Sequence, residues 1–435
     1  MATTTHNALV RLGLCLVPLA SASAQDTQNA STWTLDLGLQ SEYTDNANRS
    51  REQKISERQD EANLRFGLTH ENSWLKLEGD YNASERRFDK DSQENRSRLE
   101  GESRLELGKA QDPAQLEIRN SRRTQLNNPD DDNLLSNTDE REIWTAEPTL
   151  RWRTSDANTL SLRGTYSDIR FRDNAERDSD RKGGSLFWQR SISATDSLIF
   201  SGQFFDIGFD ARPELDYELI RANLTYQAQL RRLSYRLQLG YEESDRENGE
   251  SFSSPSYEVE VRYDSGVHRL ELYADRFISD NSTGGGNRGE FDNFNPVDAA
   301  GGQLDQLERT NIELTWSTDI LCSRCSFNLR VFYQDDDFLE RLDDLSETGA
   351  EARLSYQLSR QSSANFRVRR RTQDFSSVSD RTDSDRDQFR ITYRYQTNID
   401  LRLEIFALYE ERDSDNFLDG HIETRAGLRL SYRFR

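Results

Sequence analysis

Few residues in this chain stand at spacings that do covalent or metal chemistry. The four histidines, His6, His70, His268 and His421, each stand alone. No Gly-x-Ser-x-Gly, no paired metal-ligand spacing and no glycine-rich phosphate loop occurs. A triad assembled from distant strands would escape such a search, but the sequence offers no enzyme signature, no cofactor motif and no metal motif. Cys322-Ser-Arg-Cys325 reads as a local disulfide in an oxidising compartment. Haem attachment would need His after the second cysteine, where Ser326 stands, and zinc would need two further ligands. Acidic clusters occur at Asp130–Asp132 and at Asp335–Asp337, continuing to Glu340, Asp343, Asp344 and Glu347. Without EF-hand spacing they read as solvated loops that hold divalent cations loosely.

Arginine is the residue type whose spacing is informative. Lysine stands only at positions 54, 76, 90, 109 and 182, so Arg carries nearly all the positive charge. Arg151, Arg153, Arg163, Arg221, Arg236, Arg367, Arg369, Arg371, Arg390, Arg394, Arg425, Arg429 and Arg433 all share the parity opposite the neighbouring apolar residues. On strands they would project to one side. Two readings stay open. The guanidinium groups could line a lumen and favour anions such as acidic sugars or phosphate. They could instead pair with carboxylates on the same face, for example Glu100, Glu102, Glu106, Glu313 and Glu423, in ladders that brace a wall, since Arg forms planar forked pairs.

The elements that would position these residues are strands. In Ile422–Phe434, positions 422, 424, 426, 428, 430, 432 and 434 are apolar or threonine and end in Tyr432 and Phe434, while Glu423, Arg425, Arg429 and Arg433 lie between. A period of two belongs to a strand with a different solvent on each side. The segment suits a tilted strand crossing a bilayer, which needs roughly 9–11 residues. The pattern recurs from Trp33 onward, most cleanly through 220–230 and 233–241. Short connections alternate with long polar ones, as expected of barrels with short periplasmic turns and longer external loops. The longest, 278–306, carries Gly284–Gly286, Phe291 and Phe294. It is either an external loop or one that folds into the mouth. The expected fold is all-β: a transmembrane antiparallel up-and-down β-barrel of about 20 strands (about 18–22) with both termini on the periplasmic side.

Composition is consistent with this. The net charge is −21 and 34% of residues are hydrophobic, with a mean hydropathy of −0.92. No apolar run of about 18 residues follows the leader, so no transmembrane helix is available. A barrel escapes that test because alternate residues suffice. A pI near 4.8 disfavours sequence-independent nucleic-acid binding. Residues 1–24 read as a signal peptide, with Arg11, an apolar Leu12–Ala20 and Ala22-Ser23-Ala24 before the cleavage point. Residues 25–435 form the barrel domain.

An apolar C-terminal strand closing on an aromatic resembles the signal that bacterial outer-membrane barrels present to their assembly machinery, carried here by Tyr432 and Phe434 with Arg435 following. A first strand running into Tyr43, Asp45 and Asn46, then a polar loop and second strand, is similar to the outer-membrane β-barrel porin family related to barrels encoded in exopolysaccharide-biosynthesis operons. Asp and Asn also suit turns by bonding nearby backbone. The resemblance implies a Gram-negative outer-membrane location, contact with lipid and lipopolysaccharide, and a conduit or export component for saccharide or polysaccharide, while passage of small anionic solutes is the expectation from the Arg-rich lumen. It implies polysaccharide export or synthesis proteins as partners and no catalytic residues. The competing class is a non-conducting scaffold that docks a partner or a polysaccharide assembly complex.

Overall fold

The computed structural model describes residues 30–434 except 128–133, 135–136, 247–248, 250, 281, 283–303, 341–343, 377–381, 398–399 and 417–418. The leader, Asp130–Asp132, Asp343 and the body of the longest loop therefore lie outside the described residues.

Twenty strands form one sheet. In chain order they are β1 (Ala30–Thr44), β2 (Glu57–Glu71), β3 (Leu75–Phe88), β4 (Arg96–Leu107), β5 (Ala114–Leu126), β6 (Thr138–Arg153) and β7 (Asn158–Phe171). Next come β8 (Ser179–Ser191), β9 (Asp196–Phe209), β10 (Tyr217–Gln229), β11 (Leu233–Arg246), β12 (Phe252–Asp264), β13 (His268–Asp280) and β14 (Gln306–Thr318). The last are β15 (Cys325–Phe338), β16 (Leu345–Gln357), β17 (Ser362–Phe375), β18 (Ser384–Gln396), β19 (Leu401–Ser414) and β20 (His421–Phe434). Each strand pairs antiparallel with the next, and β1 pairs with β20 from Leu35↔Phe434 to Thr44↔Arg425. The sheet is closed, so no edge strand leaves its backbone groups unpaired in hydrocarbon, where each would cost several kcal/mol. This is the transmembrane up-and-down barrel expected from the sequence.

Side chains sort by parity. On β20, Ile422, Leu428, Leu430, Tyr432 and Phe434 are exposed on the outer surface, while His421 and Glu423 are buried inside. Five of the six tryptophans (Trp33, Trp74, Trp152, Trp188 and Trp316) lie at the short-turn end. Amphipathic rings favour such an interfacial girdle. On β1 the outward apolar band runs from Trp33 to Tyr43. At ~3.3 Å per residue and a tilt of ~40° it stands roughly 25 Å tall, the height of a bilayer-spanning band. Above it the outer surface becomes charged, with Arg170 beside Asp168 at 2.6 Å and Lys182 beside Asp180 at 2.5 Å.

The alternation fails at the long-loop end of β13. Its pairing with β12 ends at Tyr257↔Arg276, yet its pairing with β14 continues to Asp280↔Gln306. The top of this hairpin leaves the wall and leans across the mouth. The Ile278 N–H donates to Glu242 on β11 at 2.9 Å, and the Ile278 carbonyl accepts from Arg221 on β10 at 2.8 Å. Asp280 accepts from Arg181 on β8 at 2.6 Å and from the Tyr217 hydroxyl. Ile278, outward by parity, is fully buried among Ile207, Phe209, Tyr217 and Leu219. This cluster is the one concentrated apolar core among the described residues. The ends of the longest loop thus do fold inward, while 283–303 lie outside the described residues.

Candidate functional site: the arginine-rich lumen

The sequence placed thirteen arginines on one face, and the structure distributes them as follows. Arg221 pairs with Glu242 at 3.2 Å, Arg236 with Glu258 at 3.1 Å, Arg367 with Glu351 at 2.5 Å and Arg371 with Glu347 at 2.5 Å. Arg394 and Arg390 share Glu404 at 3.1 and 3.9 Å, and Arg390 also lies over the Phe406 ring at 4.8 Å. Gly427 opposite Phe406 has no Cβ, and one placed there would come within 2.5 Å of the ring. Arg425 meets Glu423 at 2.8 Å, and Arg433 meets Asp36 at 2.7 Å across the closing seam. Arg369 lies between Arg367 and Arg371 on β17 and is also engaged. Arg153 pairs with Asp156 in the short turn, at the rim rather than deep in the lumen. Among the described residues Arg151, Arg163 and Arg429 have no carboxylate partner.

Of the carboxylates proposed as partners, Glu102 faces Arg123 at 3.5 Å, Glu106 faces Arg104 at 2.9 Å, and Glu313 pairs with Arg330. Glu100 instead accepts from the Thr124 N–H at 3.3 Å. Bracing ladders are therefore present, alongside a few arginines left over for a solute. Asp336 of the second acidic cluster is held by a forked pair with Arg309, 2.6 Å on each arm. Its charge is balanced by a guanidinium, as is that of Glu340 by Arg246.

Sequence reasoning set His421 alone, and the structure corrects this. Strand register brings Glu410 opposite Glu423, with His421 one pair away. His421 Nε2 lies 3.3 Å from Glu410. Arg49, in a left-handed turn conformation at φ 49°, points back into the mouth, 3.6 Å from Glu410 and 3.2 Å from Glu423. Glu410, His421 and Glu423 could offer three ligand atoms within 4.8 Å of one another. With Arg49 and Arg425 already on these carboxylates, a divalent cation would meet repulsion, so the group is an ion-pair cluster.

A second correction concerns polarity. The sequence puts apolar residues on the parity opposite the arginines, yet Ile143, Ile169, Phe187, Phe205, Ile207 and Leu219 also face inward. They line a cavity of about 500 Å³ along β5–β10 with Arg104, Arg119, Arg163, Arg181 and Arg221 and two carboxylates, Glu117 and Glu147. Opposite-charge balance is closer in a cavity of about 660 Å³ lined by β1–β5 and β18–β20, where seven arginines share the wall with six carboxylates. Near the mouth the pattern inverts: Ile169 faces inward between the outward Asp168 and Arg170, and Ile207 follows the outward Asp206, so alternation within the strand does not say which face is the lumen.

The remaining sites lie away from the lumen. Cys322 and Cys325 are joined as a disulfide in the β14–β15 turn. Tyr432 and Phe434 face outward at the short-turn end, ring centroids 4.7 Å apart. Tyr43 is exposed on the outer surface, whereas Asn46 is fully buried. Asp45 accepts from the Thr424 N–H at 2.7 Å, and its own N–H donates to the Thr424 carbonyl at 3.1 Å. The Asn46 side-chain amide donates to Ser50 and Ile422 carbonyls at 2.8 and 2.9 Å. The Tyr-x-Asp-Asn stretch therefore fastens the first strand to the last.

A closed sheet with a lipid-facing outer band and a wet, charged interior defines a transmembrane β-barrel protein. No protein-family model and no curated protein matches the chain. Among solved structures, the outer membrane protein OpdK from Pseudomonas aeruginosa matches at 11% identity and TM-score 0.40, covering 93% of this chain and 99% of that one. OccAB4 from Acinetobacter baumannii matches at 10% identity and TM-score 0.38, covering 94% and 99%. The siderophore receptor PirA from Pseudomonas aeruginosa matches at 12% identity and TM-score 0.44, covering 92% and 80%. Likenesses at this level carry no inference about what the lumen handles.

Proposed function

We infer that this protein is an outer-membrane conduit of a Gram-negative bacterium that passes small anionic solutes. It would be exported by its leader, inserted by the barrel-assembly machinery and seated among lipid and lipopolysaccharide. The observation that carries the reading is the lumen cavity of about 500 Å³ beside β5–β10, where four of five arginines hold carboxylates and Arg163, with none among the described residues, is left as the excess positive charge. A water-filled space with excess fixed positive charge concentrates anions and repels cations. No residue of the site offers a nucleophile–base pair, so the chemistry supported is binding and passage rather than turnover.

Saccharide or polysaccharide export, with its synthesis proteins as partners, rests on the Tyr43, Asp45 and Asn46 resemblance. Those residues serve the β1–β20 seam and outer surface, so they add nothing specific to sugar. A non-conducting scaffold draws on a different observation: the β13–β14 stem leaning over the mouth, locked by Arg181–Asp280 and by Arg246–Asp305 at 3.0 Å. Purified mature protein in planar bilayers separates the two. The conduit reading expects stable unitary currents with a reversal potential favouring chloride over potassium. Silence across voltage and salt would favour the scaffold.

A further inference from the structure

Four of the five arginines lining the β5–β10 cavity are already neutralised. Arg104 holds Glu117 at 2.8 Å, Arg119 holds Glu147 at 3.0 Å, Arg181 holds Asp280 at 2.6 Å and Arg221 holds Glu242 at 3.2 Å. The fifth, Arg163, has no carboxylate partner among the described residues. Its guanidinium lies over the Phe187 ring, 5.3 Å from the centroid. Its cross-strand neighbours are Thr149 and Ser185, both short, so nothing beside it on the wall fills the space its side chain reaches into.

Further apolar side chains line the same cavity toward the mouth. Phe187 and Phe205 are partly exposed to the cavity, and Ile169, Ile207 and Leu219 form its nearly fully buried backing. The inward-leaning stem reinforces that end, because Ile278 packs into the cluster that includes Ile207 and Leu219. Phe187 and Phe205 leave ring surface facing the lumen, and apolar wall in water is unfavourable at ~25 cal/mol per Å², which a bound apolar group would relieve. A volume of about 500 Å³ falls within the ~300–1,000 Å³ typical of small-molecule sites.

We propose that this cavity is a binding subsite for a small amphipathic carboxylate. Its carboxylate would take the Arg163 guanidinium, and its apolar body, of ring size, would lie on Phe187 and Phe205. The inference deepens the conduit reading by naming a solute class, but binding at this site does not itself require conduction. Arg is suited to the task, since a forked guanidinium–carboxylate pair fixes orientation as well as energy. Partial desolvation between two phenyl rings strengthens the pair. A short hydrophilic anion would gain the charge contact alone, and a neutral ring the apolar contact alone.

The test is equilibrium binding to the full mature chain in detergent micelles by titration calorimetry, with empty micelles as blank. The probes are cyclohexanecarboxylate, acetate and cyclohexylmethanol. Cyclohexanecarboxylate should saturate a single site and bind at least ~10-fold tighter than either of the others. Arg163→Gln should weaken it ~10-fold or more, the usual loss for a hydrogen bond to a charged group, and Arg163→Lys less. Phe205→Ala should weaken cyclohexanecarboxylate and leave acetate unchanged. Retained heat-shifted gel migration identifies variants that have kept the barrel; the Phe205→Ala and acetate comparisons remain decisive if Arg163→Gln does not fold. Equal affinity of wild type and Arg163→Gln, or acetate binding as tightly as cyclohexanecarboxylate, overturns the subsite. Chloride flux from liposomes is measured separately, so a barrel that binds the probe without conducting sinks the conduit reading and leaves the subsite standing.

Discussion

Asn46 and Ile422, 376 residues apart in sequence, meet at the barrel seam, where the Asn46 side-chain amide donates to the Ile422 carbonyl oxygen at 2.9 Å. The same amide holds Ser50, and its Oδ1 accepts from the Ser50 N–H at 3.0 Å, so one buried side chain fixes the first loop and the closing strand together. Truncation orphans these backbone groups, at ~1–3 kcal/mol for a buried unsatisfied group. Asn46→Ala should therefore lower the urea midpoint clearly. Asp45→Asn, which keeps the Oδ1 acceptor for Thr424, should change it little. Equal midpoints for Asn46→Ala and wild type would remove the seam argument.

The stem across the mouth depends on Arg181 and Asp280, whose side chains are 10% and 1% exposed. Breaking a buried pair costs ~3–5 kcal/mol, because the remaining charge is stranded. Arg181→Gln should loosen the β13–β14 stem and raise single-channel conductance. Asp280→Asn should act in the same direction more weakly, since contacts to Tyr217 and Ser282 can persist. Unchanged conductance in both would show that the stem does not set the aperture.

Two kinds of lumen arginine should behave differently on substitution. Arg367 and Arg371 balance the buried Glu351 and Glu347. Replacing Arg367, Arg369 and Arg371 together with Gln removes the Glu347 partner Arg371 and leaves Glu351 with Arg353 alone, at 3.0 Å. It should move the reversal potential toward cation preference and lower the melting temperature. Arg429, without a carboxylate partner among the described residues, should on Arg429→Gln reduce anion preference and leave melting nearly unchanged. The paired measurement of reversal potential and melting separates selection from bracing.

The Cys322–Cys325 bridge closes a turn with a sequence separation of 3. Loop-closure entropy for so short a ring amounts to no more than ~2 kcal/mol. Cys322→Ser with Cys325→Ser, or reduction by dithiothreitol, should shift the urea midpoint slightly and leave heat-shifted migration intact. Loss of the folded band would make the bridge an assembly requirement instead.

Alternation along each segment determined the strands, their number to within about two and the side most residues take, because a period of two is a property of neighbours in the chain and of the two solvents flanking a wall. It placed Leu428 toward lipid and Arg429 toward the lumen before any pairing was known. Alternation also located both termini at the end where five tryptophans gather. It could not say which arginines would find carboxylates, because partners such as Glu242 for Arg221 depend on register between strands. It could not foresee Ile278 turning inward, since that follows from β13 leaving β12 while staying with β14. The cluster of Arg49, Glu410, His421 and Glu423 exists because closure brings the loop after β1 to β19 and β20, and the placing of Arg163 over the Phe187 ring follows from the β7–β8 register. Contacts of that kind are fixed by three-dimensional register and crowding, which no local periodicity encodes.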